Sequence, residues 1–192
     1  MAEKSHNCIQ SLEHPEVSPL NAHFQSDIPM VYVDGESFWK DGKYLTGFVV
    51  ISGDGQKPIL KRLPGYMSAQ MAELEAVKYV LHFEPVNIYS DSAYMVNSLC
   101  LNMAVWARRG FINSVGKPLK HAPVLRELWA LITQNGLQEK FSIVKIKAHQ
   151  RCYTVEARGN ALADTEAKQA AESGGGAKLR FCFGTKKSHL GL

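Results

Sequence analysis

The order of strand-like and helix-like segments constrains the fold of this chain more than any other feature. Three apolar stretches, at 30–33, 44–52 and 59–63, are separated by glycine-containing turns, and this pattern predicts an antiparallel meander. A helical pattern over 69–83 then leads to an apolar strand at 86–90, and such a connection requires a right-handed crossover between parallel strands.

The remaining segments complete one α/β domain. Helical spacing occurs at 92–109, at 123–133, and from 154 or 156 to about 171, and the alternating segment at 141–147 predicts a half-buried strand. The resulting order is β-β-β-α-β-α-α-β-α. It predicts a mixed five-stranded sheet, with three antiparallel strands followed by parallel crossovers and flanked by helices.

Segments with little periodicity flank this domain, which we place at residues 29–172. Residues 1–28 are expected to be a flexible lead-in, and residues 173–192 a Gly-rich linker and basic tail. The four cysteines are scattered without a CxxC pair, which indicates free thiols in a reducing compartment. No secretory signal or membrane-length apolar run is visible, so the protein is expected to be intracellular and not secreted.

Two basic stretches point to a polyanionic partner. The chain has a formal net charge of +4, and no Asp or Glu occurs at 101–121 or at 140–151, although each stretch contains several Lys and Arg residues. Such stretches suit a nucleic acid. The alternative interpretation is that both stretches are simply solvent-exposed surfaces. It would be preferred if the chain lacked the acidic residues described next.

Four acidic residues stand at positions that folding alone explains poorly: Asp34, Glu73, Asp91 and Asp164. Each is surrounded by apolar sequence, where an unpaired carboxylate is costly. If the first strand is parallel to the fourth, Asp34 and Asp91 emerge at the same edge, where two helices can bring Glu73 and Asp164. Gathered together, the carboxylates repel one another unless divalent ions neutralise them, which points to metal-dependent phosphoryl chemistry.

Each acidic residue also has an ordinary structural interpretation. Asp34 belongs to an Asp-Gly turn signal that would end the first strand, and Asp91 fits a helix cap. Glu73 and Asp164 fit solvated helix surfaces. The joint interpretation is stronger, because all four residues occur in the order that the topology requires.

These motifs resemble the type 1 ribonuclease H family, most closely its members at the C-terminus of gammaretroviral reverse transcriptases. The matching segments are YVDGES around Asp34, SAQMAELEAV around Glu73, YSDSAY around Asp91, and KAHQRCYTVEARGNALADTEAKQAA with His149 and Asp164. The resemblance covers residues 30–172. It implies the family's five-stranded mixed sheet and cleavage of the RNA strand of RNA–DNA hybrids. It also implies that the four carboxylates bind two Mg²⁺ ions, for which Mn²⁺ can substitute.

The resemblance gives His149 a catalytic role in proton transfer or product release. His149 follows the fifth strand in a basic loop, and imidazole titrates near neutrality, so this role is chemically reasonable. Without the resemblance, a surface histidine is an equally good interpretation. A zinc site formed with Cys152 is disfavoured, because no second pair stands at ligand spacing.

The resemblance also implies residues that grip the hybrid. The segment WARRGF followed by GKP is similar to the family's basic protrusion, which contacts phosphates without reading sequence. Trp106 is more simply a core anchor than a stacking residue. Contacts to the 2′-hydroxyl are expected to select the RNA strand. The implied hybrid-binding residues are Gly35, Gln70, Tyr94, Arg108, Arg109 and Lys117.

The chain departs from the family pattern at Glu36, where serine is common. An additional carboxylate there would weaken hybrid binding or perturb metal affinity, unless it points to solvent. The rival function is a retroelement-derived nucleic-acid-binding module with attenuated catalysis. The presence of all four acidic residues argues against it, because a domain released from catalysis has no need of them. An integrase or resolvase of the same fold is disfavoured by the GNALAD helix and the basic protrusion.

The resemblance extends to partners and location. The implied partners are the RNA–DNA hybrid and a reverse transcriptase polymerase domain or other parts of a polyprotein, with no membrane. If the protein is viral, the expected locations include the virion.

Overall fold

One mixed sheet of five strands organises the part of the chain that the computed structural model describes, residues 25–54, 57–83, 85–137, 139–147 and 154–173. The strands are β1 (Met30–Lys40), β2 (Lys43–Ser52), β3 (Ile59–Leu63), β4 (Val86–Ser90) and β5 (Phe141–Lys145). Their order in the sheet is β3-β2-β1-β4-β5. The pairs β1–β2 and β2–β3 are antiparallel, whereas β1–β4 and β4–β5 are parallel. The predicted mixed sheet is confirmed.

β1 is longer than predicted and passes straight through Asp34 and Gly35. Both residues are paired with β2. The turn predicted at Asp34-Gly35 is therefore wrong. The chain reverses at Asp41-Gly42 instead, where both residues have positive φ (51° and 77°). A two-residue turn of this geometry matches the twist of the flanking strands.

The helices begin and end close to the predicted positions. They are α1 (Ala69–Val80), α2 (Ala93–Val96), α3 (Met103–Arg108), α4 (Ala122–Gln134) and α5 (Val155–Ser173). Ser68 precedes the first helical pattern, as an N-cap should, and its hydroxyl accepts a hydrogen bond from the Met71 amide at 3.3 Å. α1 ends at Val80 rather than at the predicted residue 83.

The helix predicted at 92–109 is interrupted. A π-helical segment, Asn97–Asn102, separates α2 from α3. Hydrophobic spacing does not distinguish a π-helical turn from an α-helical one, so the sequence pattern alone predicts a single helix. Such single-turn insertions are often found at functional sites.

Alternate side chains of β1 face two separate cores. Val31 and Val33 belong to the larger core, which contains buried residues of α1 and α4. Tyr32 points the other way and packs with Ala163 and Ala167 of α5. α5 therefore covers one face of the sheet, and α1 covers the other.

The last residues of the predicted lead-in are bonded to the sheet. Asn87, buried in β4, donates to the carbonyl oxygens of Gln25 (2.8 Å) and Ile28 (3.0 Å) and accepts from the Gln25 amide (2.8 Å). Its side-chain oxygen also accepts from the Ser142 hydroxyl of β5 at 2.5 Å. Residues 25–28 are thus fixed by one buried amide, and the rest of the lead-in lies outside the described residues.

The predicted linker and tail lie mostly outside the described residues as well. Ser173, which was placed in the linker, is the last residue of α5. Among the helices that the structure describes, none combines the length and apolar character needed to cross a bilayer.

Candidate active site

Parallel pairing of β1 with β4 brings two of the predicted carboxylates to one edge of the sheet. Tyr32 is paired with Tyr89, and Asp34 and Asp91 each lie two residues further along the chain. Paired strands are about 4.8 Å apart, so Asp34, within β1, and Asp91, just after the end of β4, lie side by side. Because side chains alternate along a strand, Asp34 projects from the face that α5 covers.

Gly35 allows α1 to lie directly on β1, and this places Glu73 beside the same edge. A Cβ atom at Gly35 would lie 2.7 Å from the carbonyl carbon of Ala72 and would collide with the amide nitrogen of Glu73. Gly35 itself is buried. Its place in the structure is thus a helix–strand contact, whereas the sequence predicts a backbone contact to the hybrid near this residue.

α5 supplies the fourth carboxylate from a row of polar residues spaced four apart, Asn160, Asp164 and Lys168. Asn160 Nδ2 donates to Asp91 Oδ2 at 3.0 Å, and Lys168 Nζ lies 3.3 Å from Asp164 Oδ2. The preceding Gly159 has no room for a Cβ atom, because an aromatic ring of β1 lies against it. Close packing of α5 on β1 therefore fixes the position of this row.

The charges of the four carboxylates affect one another. Burial raises the pKa of Asp34 to about 7; the hydrogen bond from the next amide, 2.8 Å long, opposes the rise, and the other three carboxylates reinforce it. Burial also raises the pKa of Glu73 to about 7, against the hydrogen bond from Ser92, with a further rise from the charges of Asp91 and Glu36. A nearby cation would reverse these rises, because it stabilises the ionised form.

The four carboxylates are suitable ligands for a pair of hard divalent cations, although three of them are hydrogen-bonded or ion-paired to protein side chains. The Ser92 hydroxyl donates to Glu73 at 2.5 Å, Asn160 donates to Asp91, and Lys168 is paired with Asp164. Within the described ranges, no three Asp, Glu, His or Cys side chains are gathered around a metal position. Carboxylate oxygens are the ligands that Mg²⁺ and Mn²⁺ prefer, and their mutual repulsion is what a divalent ion relieves.

Comparison with known proteins assigns this arrangement to a family. The family model described as RNase H matches residues 27–172. The chain belongs to the ribonuclease H family.

Retroviral polyproteins are among the relatives of this ribonuclease H domain. It is 35% identical over 150 residues to the Gag-Pol polyprotein of koala retrovirus, covering 76% of the chain. It is also 35% identical over 164 residues to the Gag-Pol polyprotein of gibbon ape leukemia virus, covering 83% of the chain. The chain spans only 9% of the length of each polyprotein. The resemblance to retroviral members of the family is confirmed.

Solved structures with the same fold come from foamy virus. The solution structure of the PFV RNase H domain is 25% identical, with a TM-score of 0.62, and the match covers 74% of this chain and 93% of that domain. The foamy viral protease–reverse transcriptase in complex with dsDNA is 26% identical, with a TM-score of 0.59 and coverage of 75% and 94%. Both support the predicted fold.

Glu36 lies beside the ribonuclease H carboxylates rather than far out in solvent. It is two residues from Asp34 on the same strand and is half-buried. Burial raises the pKa of Glu36, the charge of Lys168 on α5 lowers it, and the charge of Asp164 raises it. The departure from the family pattern thus adds a fifth negative group at this edge.

Two of the predicted hybrid-binding residues meet around a histidine that sequence reasoning missed. His121 is buried immediately before α4, and its Nε2 lies 3.5 Å from Gln70 Oε1. The ring of Tyr94 meets His121 edge to face, with centroids 5.6 Å apart. Burial raises the pKa of Tyr94, and the charge of Glu73 adds to that rise, so this cluster adjoins the carboxylates. No motif surrounds His121, and only the fold reveals its neighbours.

The predicted basic protrusion is a hydrogen-bonded turn after α3. Its three predicted contact residues, Arg108, Arg109 and Lys117, are all exposed. The turn is fixed by buried Phe111, which has a φ of 59°, and by Asn113, whose side chain accepts from the Lys117 amide at 2.9 Å. Trp106 is partly buried against the larger core, as the anchor interpretation predicts.

His149 and Cys152 lie outside the described residues. The structure therefore gives no position for the predicted catalytic histidine or for the disfavoured zinc ligand. Ser92 and Asn160 are two further polar residues of the site that the sequence did not single out. Only their positions could have indicated them: Ser92 directly follows Asp91, and Asn160 lies one helical turn before Asp164.

Proposed function

We propose that this ribonuclease H domain cleaves the RNA strand of RNA–DNA hybrids endonucleolytically, using two divalent metal ions. The main support is that Asp34 of β1, Glu73 of α1, Asp91 after β4 and Asp164 of α5 approach the same end of the parallel strands from four parts of the chain. The effect of each charge on the pKa of Asp34 supports this proximity. All four are partly buried, and bringing so much like charge together is destabilising unless cations are bound there.

The four carboxylates would hold Mg²⁺, or Mn²⁺ in its place. When bound, such a pair activates water and stabilises the leaving oxygen of a phosphodiester, giving 3′-hydroxyl and 5′-phosphate ends. The protein's own contribution is orientation. Ser92 holds Glu73, and Asn160 holds Asp91, so both carboxylates have a defined rotamer before any ion arrives. His149 is proposed to assist proton transfer or product release.

Hybrid binding is proposed to use two surfaces next to this edge. Gln70 and Tyr94, with His121 between them, form a polar and aromatic wall beside Glu73. Arg108, Arg109 and Lys117 would contact phosphates, which positions a duplex without reading its sequence. Recognition of 2′-hydroxyl groups in the minor groove would select the RNA strand.

The relatives suggest the context in which the domain acts. Since the matched relatives are Gag-Pol polyproteins, we infer that the domain works beside a polymerase domain, in an infected cell or a virion. The alternative context is a host gene derived from a retroelement.

Cleavage of a labelled RNA–DNA hybrid tests the proposal directly. The unmodified protein should cut the RNA strand with Mg²⁺ or Mn²⁺, and Asp34→Asn should abolish cutting while the protein stays folded. Asp41→Asn is a matched control, because Asp41 lies on an exposed turn in a left-handed conformation that asparagine also adopts.

The rival function predicts a different outcome. If the folded protein binds the hybrid but cuts it with neither metal, the domain is a binding module with attenuated catalysis. The specific observation that favours this rival is Glu36, the fifth carboxylate beside the site. Glu36→Ser would then be the first variant to examine for restored cutting.

A further inference from the structure

Lys168 of α5 brings a cation to the carboxylate edge. Its Nζ lies 3.3 Å from Oδ2 of Asp164, one helical turn earlier, and the two side chains are 55% and 41% exposed. Asp164 is one of the four proposed metal ligands. Lys168 therefore competes with a divalent ion at this position, because two cations repel each other and seek the same carboxylate.

The packing of α5 on the β1–β2 hairpin brings a second carboxylate close to Lys168. Glu36 of β1 is paired with Gly47 of β2. A Cβ atom at Gly47 would lie 2.6 Å from the amide nitrogen of Ala171. The α5 backbone thus passes directly over the strand neighbour of Glu36, and Lys168 lies about one helical turn before that contact.

A second ion pair joins the same side of α5 to the same face of β1. Lys40 Nζ lies 2.7 Å from Glu172 Oε1. Glu172 follows Lys168 by four residues, so the two belong to one row of the helix. Lys40 follows Glu36 by four residues, so these two share one face of the strand. Glu36 and Lys168 therefore lie along the same seam between β1 and α5.

The charges of these residues affect one another as this placement requires. The ion pair with Asp164 raises the pKa of Lys168, and the charges of Glu36 and Asp34 raise it further. Burial raises the pKa of Glu36, and the charge of Lys168 opposes that rise. Lys168 is thus within electrostatic reach of one carboxylate that is a proposed metal ligand and of another that is not.

We propose that Glu36 is a second acceptor for the Lys168 ammonium group, and that it lessens the competition between Lys168 and a divalent ion at Asp164. When the ion binds Asp164, Lys168 turns to Glu36, so its charge stays paired and is held away from the ion. Glu36 is then a positioning residue that acts through Lys168. The inference rests on the proposed function for the role of Asp164 as a metal ligand.

Binding of Mn²⁺ to the protein without nucleic acid tests this. The dissociation constant is measured by electron paramagnetic resonance for the unmodified protein, Glu36→Gln, Lys168→Met and the double variant. Glu36→Gln should weaken binding about 2- to 5-fold, the upper range for one exposed ion pair, because Lys168 is left with Asp164. Lys168→Met should tighten binding by a similar factor. Once Lys168 is replaced, Glu36→Gln should change the constant by less than about 1.5-fold.

Glu127→Gln is the matched control. It makes the same change to a carboxylate of α4 that is paired with Lys78 at 2.8 Å, on the other face of the sheet, and should leave Mn²⁺ binding unchanged. Thermal unfolding shows that each variant is folded, and Glu36→Ser replaces Glu36→Gln if the latter is not. An equal loss of affinity from Glu36→Gln with and without Lys168 would show that Glu36 acts on the ion directly. Tighter binding by Glu36→Gln would show that Glu36 opposes the site. Either result overturns the proposal.

Failure of the proposed function has a separate signature. A protein that shows the expected Mn²⁺ affinities but never cuts a hybrid retains the pairing of Glu36 with Lys168 and loses the nuclease activity. A protein that cuts the hybrid, yet binds no Mn²⁺ alone or responds to Glu36→Gln independently of Lys168, retains the function and loses the inference.

Discussion

Replacing Gly35 with alanine should separate α1 from β1 and disable the site without touching a carboxylate. The new Cβ atom would lie 2.7 Å from Ala72 C and 2.8 Å from Ala72 Cβ. Ordinary contacts require at least about 3.4 Å, and the Glu73 amide nitrogen is nearer still, so α1 must move outward by at least about 0.7 Å. The colliding atoms belong mainly to the backbone and cannot rotate away. Overpacking of this kind costs about 1–3 kcal/mol.

The displacement acts on Glu73, whose amide nitrogen is the atom nearest to the added methyl group. Misplacing a catalytic group by about 1 Å costs on the order of 10²-fold in rate. We therefore expect Gly35→Ala to lower kcat about 100-fold. We also expect a fall in Tm of roughly 2–12 °C, from about 2–4 °C per kcal/mol for a domain of this size.

Gly47→Ala provides the matched control. A Cβ atom at Gly47 would meet the backbone of Ala171, 2.6 Å from its amide nitrogen, where α5 packs on β2. The steric collision is similar, but it lies near the C-terminal end of α5, about two turns beyond Asp164. Thermal unfolding and single-turnover cleavage would be measured for both variants. Equal losses of cleavage in the two, or undiminished cleavage by folded Gly35→Ala, would refute the reasoning.

Three other predictions concern pH, a buried amide and salt. The folded-state pKa of about 7 for Asp34 and Glu73 lies above their ordinary values of 3.8 and 4.5, so the folded protein binds protons more tightly than the unfolded chain between roughly pH 4 and 7. Without divalent metal, Tm should therefore fall as pH rises through that window. Asp34→Asn should make this fall smaller, and Mg²⁺ should restore Tm at pH 8. A metal-free Tm that rises from pH 5 to pH 8 would contradict the prediction. Asn87→Ala leaves the buried hydrogen-bond partners in residues 25–28 and in β5 unpaired. It should lower the free energy of unfolding, measured with urea, by about 3 kcal/mol. A loss below about 1 kcal/mol would show that water replaces the amide. Replacing both Arg108 and Arg109 with glutamine should weaken hybrid binding and reduce the slope of log K against log salt by up to about 2, since each lost phosphate contact removes about 0.9; an unchanged slope would place the phosphate contacts elsewhere.

The carboxylate edge could be predicted because it depends on strand direction. The crossover through α1 makes β3 and β4 parallel, and the antiparallel meander makes β1 parallel to β3. β1 and β4 must therefore be parallel, which brings Asp34 and Asp91 to the same end of the sheet. The register confirms this, with Tyr32 paired to Tyr89. The order of strands and helices along the sequence was sufficient for this prediction, because residues at the carboxyl ends of parallel strands lie at the same end of the sheet.

Local signals were misleading where tertiary contacts decide the structure. The Asp-Gly pair at 34–35 has the composition of a turn, yet this glycine is needed in mid-strand to admit a helix. Similarly, the hydrophobic spacing at 92–109 does not encode the π-helical segment. In both cases the residue types suit two conformations, and packing selects one.

Isolated polar residues were the hardest to find. His121 has no flanking motif, and its importance comes only from its neighbours Gln70 and Tyr94, which are 51 and 27 positions away in the chain. The sequence likewise did not show whether the Glu36 side chain points towards the site or towards solvent. Its position on the same strand face as Asp34 follows only once β1 is known to continue past Gly35.

The amide of Asn87 determines how the rest of a longer protein can be attached. Asn87 is near the start of β4, whereas Asp91 follows its end, and the two are separated by roughly 13 Å along the strand. Residue 25 is thus held at the end of the sheet opposite the carboxylates, tied to β4 and β5 by one side chain. A force applied at residue 25 would be borne by β4 and by the edge strand β5. The four carboxylates would receive that force only through the length of β4.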